Sequence, residues 1–260
     1  MRREGITLVE LLVAVTVGAV VMGAAFLALK RGAKDLSAET RLTLSRDQAA
    51  RVLQGLSGEL KGRPAAFLLP GASDRGAGLV VLSGTGWPVV PEGYGADRVR
   101  FIASNPDVVV GSPAALVSPT GEVFYIPAVA ALSRVDAGRN LWELDLGGCA
   151  NPLRYVEGMR IYRAETLTVT KGPDGLEVQG TALGAQQVVS LRDFSLRYVY
   201  SSPTGETVSS AYEGAALPDG SRLTALAFQA TGTGEGQRAF TARIPLGQGS
   251  VEVRRVSACG

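Results

Sequence analysis

Between Ile6 and Leu29 the sequence carries one ionisable side chain, Glu10. A carboxylate in an apolar stretch costs about 2.5–3.5 kcal/mol at a bilayer centre, so such a group usually marks a function. The chemistry it offers is pairing with a cation that is equally costly in lipid. Glu10 is four residues from Ile6, about 6 Å along a helix, so an interfacial carboxylate without a role is the plainer alternative. Elsewhere catalytic groups are scarce. There is no His, which removes the commonest general base and the commonest metal ligand. No Ser sits in a Gly-x-Ser-x-Gly elbow. Gly84-Thr85-Gly86 and Gly232-Thr233-Gly234-Glu235-Gly236 lack the Lys-Ser/Thr of a phosphate loop and read as turns. Pro173-Asp174-Gly175 has one acid, too few for calcium, and also reads as a turn. The expectation is a protein that is not an enzyme, with no catalytic residue, metal or cofactor.

Cys149 and Cys259 are the only cysteines, too few for a four-ligand zinc site. If an N-terminal anchor holds the rest of the chain outside the cytoplasm, a disulfide between them is expected. It would close a loop of about 110 residues, worth up to roughly 4.7 kcal/mol, and tie the C-terminus to the middle of the domain. Two thiols too far apart to bridge is the alternative.

The elements that position these residues follow from periodicity. Ile6–Leu29 is 24 residues, about 36 Å as a helix, enough to cross a bilayer core of about 30 Å. A secretory signal is the rival, but its apolar core runs only about 7–15 residues. Leu42, Ala49, Leu53, Leu56 and Leu60 continue at helical spacing, with Arg46, Asp47, Gln48 and Arg51 between them, and Gly62 and Pro64 end the pattern. From Phe67 onward short β segments are cut by Gly and Pro. Candidate strands are Leu79–Leu82, Arg98–Ala103, Val108–Val110, Glu122–Ile126, Leu141–Leu146, Met159–Arg163, Thr166–Lys171 and Leu176–Gln179, then Val188–Leu191, Phe194–Tyr200, Leu223–Ala230, Ala239–Ile244 and Val251–Val256. In Phe194–Tyr200 one face would carry Phe194, Leu196, Tyr198 and Tyr200, and the other Ser195, Arg197 and Val199. Phe67–Pro119 is rich in Gly and Pro and reads as long loops or an irregular subdomain. The expected fold is α+β: a long N-terminal helix, with a transmembrane half and an amphipathic half, packed on a β-rich, mainly antiparallel head. The divisions are 1–5, 6–29, 30–62 and 63–260.

The order Gly5-Ile6-Thr7-Leu8-Val9-Glu10-Leu11-Leu12, behind Arg2, Arg3 and Glu4, resembles the processing site of type IV prepilins and pseudopilins. The resemblance implies that residues 1–5 are a leader and that a prepilin peptidase cuts between Gly5 and Ile6 and N-methylates Ile6. Glu10 becomes the fifth mature residue, which in that family sets assembly register against the amine of a neighbouring subunit. Ile6 stands where Phe or Met is commoner, and Glu4 is acidic beside the cut. Over about sixty residues, Val188–Tyr198, Leu217-Pro218-Asp219-Gly220 and Arg222–Ala230 resemble the closing half of PilW-type minor pilins and of J-type pseudopilins.

The resemblance implies a minor pilin that enters or primes a type IV pilus, in adhesion, twitching motility or DNA uptake. Its implied partners are other pilin or pseudopilin subunits, the prepilin peptidase, an inner-membrane assembly platform and the membrane itself. The chain would cross the inner membrane once, head outside, before reaching a surface pilus. Lys30, Arg31 and Lys34 oppose Arg2 and Arg3 in the charge rule for orientation, so the processing motif decides it. The alternatives are a J-like pseudopilin of type II secretion and, in another class, a membrane-tethered envelope enzyme or binding domain. Removing Arg2, Arg3 and Glu4 lowers the formal charge from +2 to +1. Arg238, Arg243, Arg254 and Arg255, or Arg154, Arg160 and Arg163, would form a stripe for nucleic acid only if they gathered; scattered solvated positions are the stronger reading.

Overall fold

The computed structural model describes residues 62–172, 175–180, 187–189, 194–202, 205–209, 222–230, 240–246, 250–251 and 253–259. N-terminal to these it describes residues 22, 26–32, 34 and scattered positions between 47 and 60. The chain divides into two units, Met1–Asp47 and Gln48–Gly260. Where the first is described, it is helical. The second holds every strand described below.

The structure corrects the α+β expectation. Among the described residues it is mainly β, with 53% of them in strand, and the long N-terminal helix is not seen. Among the described residues no helix is long and apolar enough to cross a membrane. Much of that expectation, including most of 6–29 and 35–46, lies outside the described residues. The balance has a compositional cause. Beyond Gly62, apolar residues recur at the two-residue period of strands.

The largest sheet has eight strands. Its path runs β1 (Ala66–Leu68), β2 (Gly76–Pro88), β8 (Arg160–Gly172), β4 (Ala114–Val117), β5 (Glu122–Ile126) and β15 (Arg255–Ala258), and β9 (Gly175–Gly180) and β10 (Gln187–Val189) extend it beside β8. The 13-residue strand β8 is its spine. One edge pairs with β2; the other pairs with β4 over Arg160–Arg163 and with β9 over Leu167–Gly172. Every pairing is antiparallel except β15 on β5. A three-stranded sheet runs β3 (Arg98–Ile102), β7 (Leu141–Asp145), β6 (Ala131–Asp136), and a four-stranded sheet runs β12 (Gly205–Ser209), β11 (Phe194–Ser202), β13 (Arg222–Ala230), β14 (Phe240–Pro245).

Strand alternation gives the large sheet two faces, and both smaller sheets pack on one of them. Leu79, Val81, Leu167 and Val169 pack against Leu196, Tyr198, Leu226 and Phe228 of the four-stranded sheet. Further along the same face, Ile161, Leu116 and Phe124 pack against Val99, Phe101 and Leu144 of the three-stranded sheet. Between the two apolar regions β8 turns polar. Arg163 and Glu165 occupy the intervening positions, and Glu165 faces Arg63 at 3.6 Å and Arg163 at 3.8 Å, with Ser83 Oγ 3.5 Å away. The opposite face buries Val80, Leu82, Ala115, Val123, Tyr125 and Tyr162. On the second face of the four-stranded sheet, an Arg243–Glu206 ion pair at 2.8 Å joins the outer strands over buried Val199, Ala225 and Ala227.

Several strand boundaries differ from those read in the sequence. Met159–Arg163 and Thr166–Lys171 are one strand, because Ala164 and Glu165 keep the period although neither favours a sheet. Val108–Val110 is not a strand, and Val109 and Val110 are more than half exposed. Phe67–Pro119, expected to be irregular, supplies β2 to the centre of the large sheet. The last strand begins at Arg255 rather than Val251.

Candidate functional site

Two places in the strand-rich unit bring chemically distinct groups together. The first is the disulfide between Cys149 and Cys259, whose Cα atoms are 5.5 Å apart and whose sequence separation is 110. Cys149 follows β7 through a turn in which Gly147 and Gly148 have φ of 65° and 82°, a region that favours glycine. Gly147 N donates to Asp145 Oδ1 and Cys149 N to Leu146 O. Cys259 follows β15, and its N donates to Tyr125 O at 3.0 Å. The bridge therefore ties the last strand of the large sheet to the three-stranded sheet. Beside it Asn151 is buried, and its Nδ2 donates to Tyr94 Oη while Tyr94 Oη donates to Leu153 O.

The second place is Gly84-Thr85-Gly86. These residues are an insertion inside β2, not a turn between strands: the register with β8 runs Ser83↔Arg163 and resumes at Trp87↔Ile161. Arg160 Nη1 donates to both Thr85 O (3.1 Å) and Gly86 O (3.0 Å), and Trp87 Nε1 donates to Asp107 Oδ1 at 2.8 Å. A Cβ on Gly86 would lie 2.5 Å from Tyr162 Cζ, and Gly86 has φ of 69°. Bulges of this kind re-aim side chains and cluster near functional sites. Here the insertion forms one wall of an open pocket of about 640 Å³, lined also by residues 62–64, Tyr162 and Ser250. A Gly86→Ala variant is expected to lose about 2–4 kcal/mol of stability from backbone strain and the clash with the ring; the urea midpoint measures it.

Burial raises the pKa of the Tyr94, Tyr125 and Tyr162 phenols above the usual value, with Asn151 opposing the shift at Tyr94 and Arg160 at Tyr162. A phenol with a raised folded pKa contributes stability that is fully present below its unfolded pKa of about 10 and lost as pH rises through the folded value. The melting temperature should therefore fall with pH above about 10. Tyr125→Phe, which removes one such group, should fall less steeply than the unmodified chain over the same range.

Of the residues singled out in the sequence, Cys149 and Cys259 are brought together as expected. Gly5, Ile6, Glu10, Arg238 and Gly232–Gly236 lie outside the described residues. Three of the candidate basic residues have carboxylate partners: Arg163 with Glu165, Arg243 with Glu206 and Arg255 with Glu122. Sequence reasoning missed Tyr162 and the pocket, and the available signal was a Gly-x-Gly interrupting a long apolar run. Residues 1–26 match the family model for the prokaryotic N-terminal methylation motif. That match supports a type IV pilin-like protein. For a pilin-like protein it suggests, in general terms, association with other pilin subunits and a prepilin peptidase, and it is consistent with membrane anchoring and surface assembly. No curated protein and no solved structure matches the chain.

Proposed function

We propose that this chain is a minor, low-abundance pilin that enters a type IV pilus or primes its assembly. The observation that carries the reading is the methylation motif at residues 1–26, with Gly5, Ile6 and Glu10 in the order that prepilin processing uses. Prepilin peptidase cuts after Gly5 and methylates Ile6. The apolar segment Ile6–Leu29 then holds the chain at the inner membrane until assembly, with the strand-rich unit outside. Glu10 pairs with the N-terminal amine of a neighbouring subunit and sets register, since two charges that are each costly in lipid gain most by meeting there. The size of the strand-rich unit, Gln48–Gly260, supports low copy number, because a bulky unit is harder to repeat around a thin fibre. The order of Val188–Tyr198 and Arg222–Ala230 suits a PilW-type minor pilin and a J-type pseudopilin alike. No catalytic role is assigned. Deleting the protein should reduce piliation, twitching or transformation. Unchanged pili with accumulation of unsecreted exoproteins would instead indicate a J-like pseudopilin of type II secretion.

A further inference from the structure

Three stretches of the strand-rich unit carry no charged side chain: 108–121, 123–133 and 146–153. The fold lays parts of them side by side. Ser112 N donates to Val109 O at 3.0 Å, and Gly111 inside this turn has φ of 81°, a value that favours glycine. Gly111 N donates to Val129 O at 2.8 Å and Val129 N to Ser112 O at 3.0 Å, which fixes the turn to the link between β5 and β6. On the far side of that link Ala130 N donates to Asp145 O, and a Cβ on Gly147 would lie 3.0 Å from Ala130 Cβ. Val108 and Val129 are buried and anchor the arrangement.

The surface so made is apolar and open. Val109 and Val110 are 56% and 53% exposed, and Pro127, Ala128 and Ala130 are exposed beside them. Contiguous exposed apolar surface marks interaction sites. Its relief is uneven: the two branched side chains stand next to positions with little or no side chain, and a Cβ on Gly111 or Gly148 would meet nothing within 4 Å. One surface therefore carries both knobs and a floor to receive them. Asp145, at its edge, accepts from Gly147 N and lies opposite Arg98 on β3. A charged partner would bury its charge unpaired here. A membrane surface would call for Lys, Arg, Trp or Tyr, and the exposed residues of the patch include none of them. A second copy brings a surface equally free of charge, and a two-fold axis sets the knobs of each copy over the floor of the other. We propose that this patch is a two-fold contact between copies of the chain, with Val109 and Val110 of one against Ala128, Ala130 and Gly148 of the other. It is far smaller than the roughly 20–30 residues a side of a stable interface, so the dimer is weak and concentration-dependent. The contact is separate from the assembly role of Ile6–Leu29 proposed above.

The test is photo-crosslinking of the full-length protein in detergent, as an equal mixture of isotopically light and heavy chains, with Val110 replaced by photo-leucine, an aliphatic diazirine of nearly the same size. Light–heavy crosslinks report contact between copies and are distinct from those within one chain. The expected crosslinks join position 110 of one copy to residues 128–130 or 147–148 of the other, in a yield that rises with protein concentration. Val109→Ser, which removes a knob, and Ala128→Arg, which fills the floor with a charged side chain, should each lower that yield about threefold or more. Val208→Ser, at a valine 52% exposed on β12, should leave it unchanged. Crosslinks confined to single chains, light–heavy crosslinks that land outside the patch, or a yield that neither Val109→Ser nor Ala128→Arg lowers would each overturn the contact. Crosslinking in cells to a different protein, with none to a second copy, would overturn the second copy as its occupant.

Discussion

A Glu10→Ala chain is expected to be cut and methylated like the unmodified one and then to fail to enter the fibre. Removing one partner of an ion pair in a low-dielectric setting leaves the other uncompensated, at about 3–5 kcal/mol. That is more than two orders of magnitude in an assembly equilibrium, since each 1.4 kcal/mol is about tenfold. The substitution also removes the one ionisable side chain from Ile6–Leu29, so retention in the membrane should improve while assembly is lost. The readout is the amount of this subunit in sheared pili relative to the membrane fraction, with cleavage monitored in parallel. Wild-type incorporation of Glu10→Ala would remove Glu10 from the assembly role.

The second large effect concerns Cys149 and Cys259. Their bridge spans 110 residues of sequence, and the chain-entropy model assigns a crosslink of that length up to about 4.7 kcal/mol, with typical measured values of about 2–4. The local structure places the cost at β15. That strand is four residues long and pairs only with β5, through parallel bonds, and Val256 is its one fully buried apolar side chain. The double variant Cys149→Ser, Cys259→Ser is expected to melt about 10 °C lower, at about 2–4 °C for each kcal/mol in a domain of this size. Hydrogen exchange should rise first in Arg255–Ala258 and along the Glu122–Ile126 edge it covers. A melting temperature within about 2 °C of the parent would show that β15 holds without the bridge.

Some of this architecture is legible in the sequence for plain physical reasons. In β11 the alternation of Leu196, Tyr198 and Tyr200 with Ser195 and Arg197 places the first set in the core, and Val199 is buried on the other face, over which the Arg243–Glu206 pair runs. The glycines at 175 and 205 close two-residue hairpins, pairing with Gly172 and Ser202. Other strands are silent. β4 is Ala114–Val117, buried at every position, so no polar residue marks a period. β6 is polar and exposed along an edge, and β1 has three residues. The disulfide could be anticipated because only two cysteines exist. The pocket could not, because the Gly84–Gly86 insertion shows itself only when β2 is laid against β8 and the register skips. The long N-terminal helix is not seen as one element: the described positions between 47 and 60 are helical, and most of its expected length lies outside the described residues.

As a processed pilin-like subunit, the protein would leave the membrane with a new N-terminus. Intact mass and N-terminal sequence of the protein from native membranes, with and without prepilin peptidase, read that terminus. The expected chain begins at Ile6, carries one added methyl group and reverts to Met1 when the peptidase is absent. A chain that begins at Met1 in both strains, or one cut after the apolar run near Ala24, would contradict it.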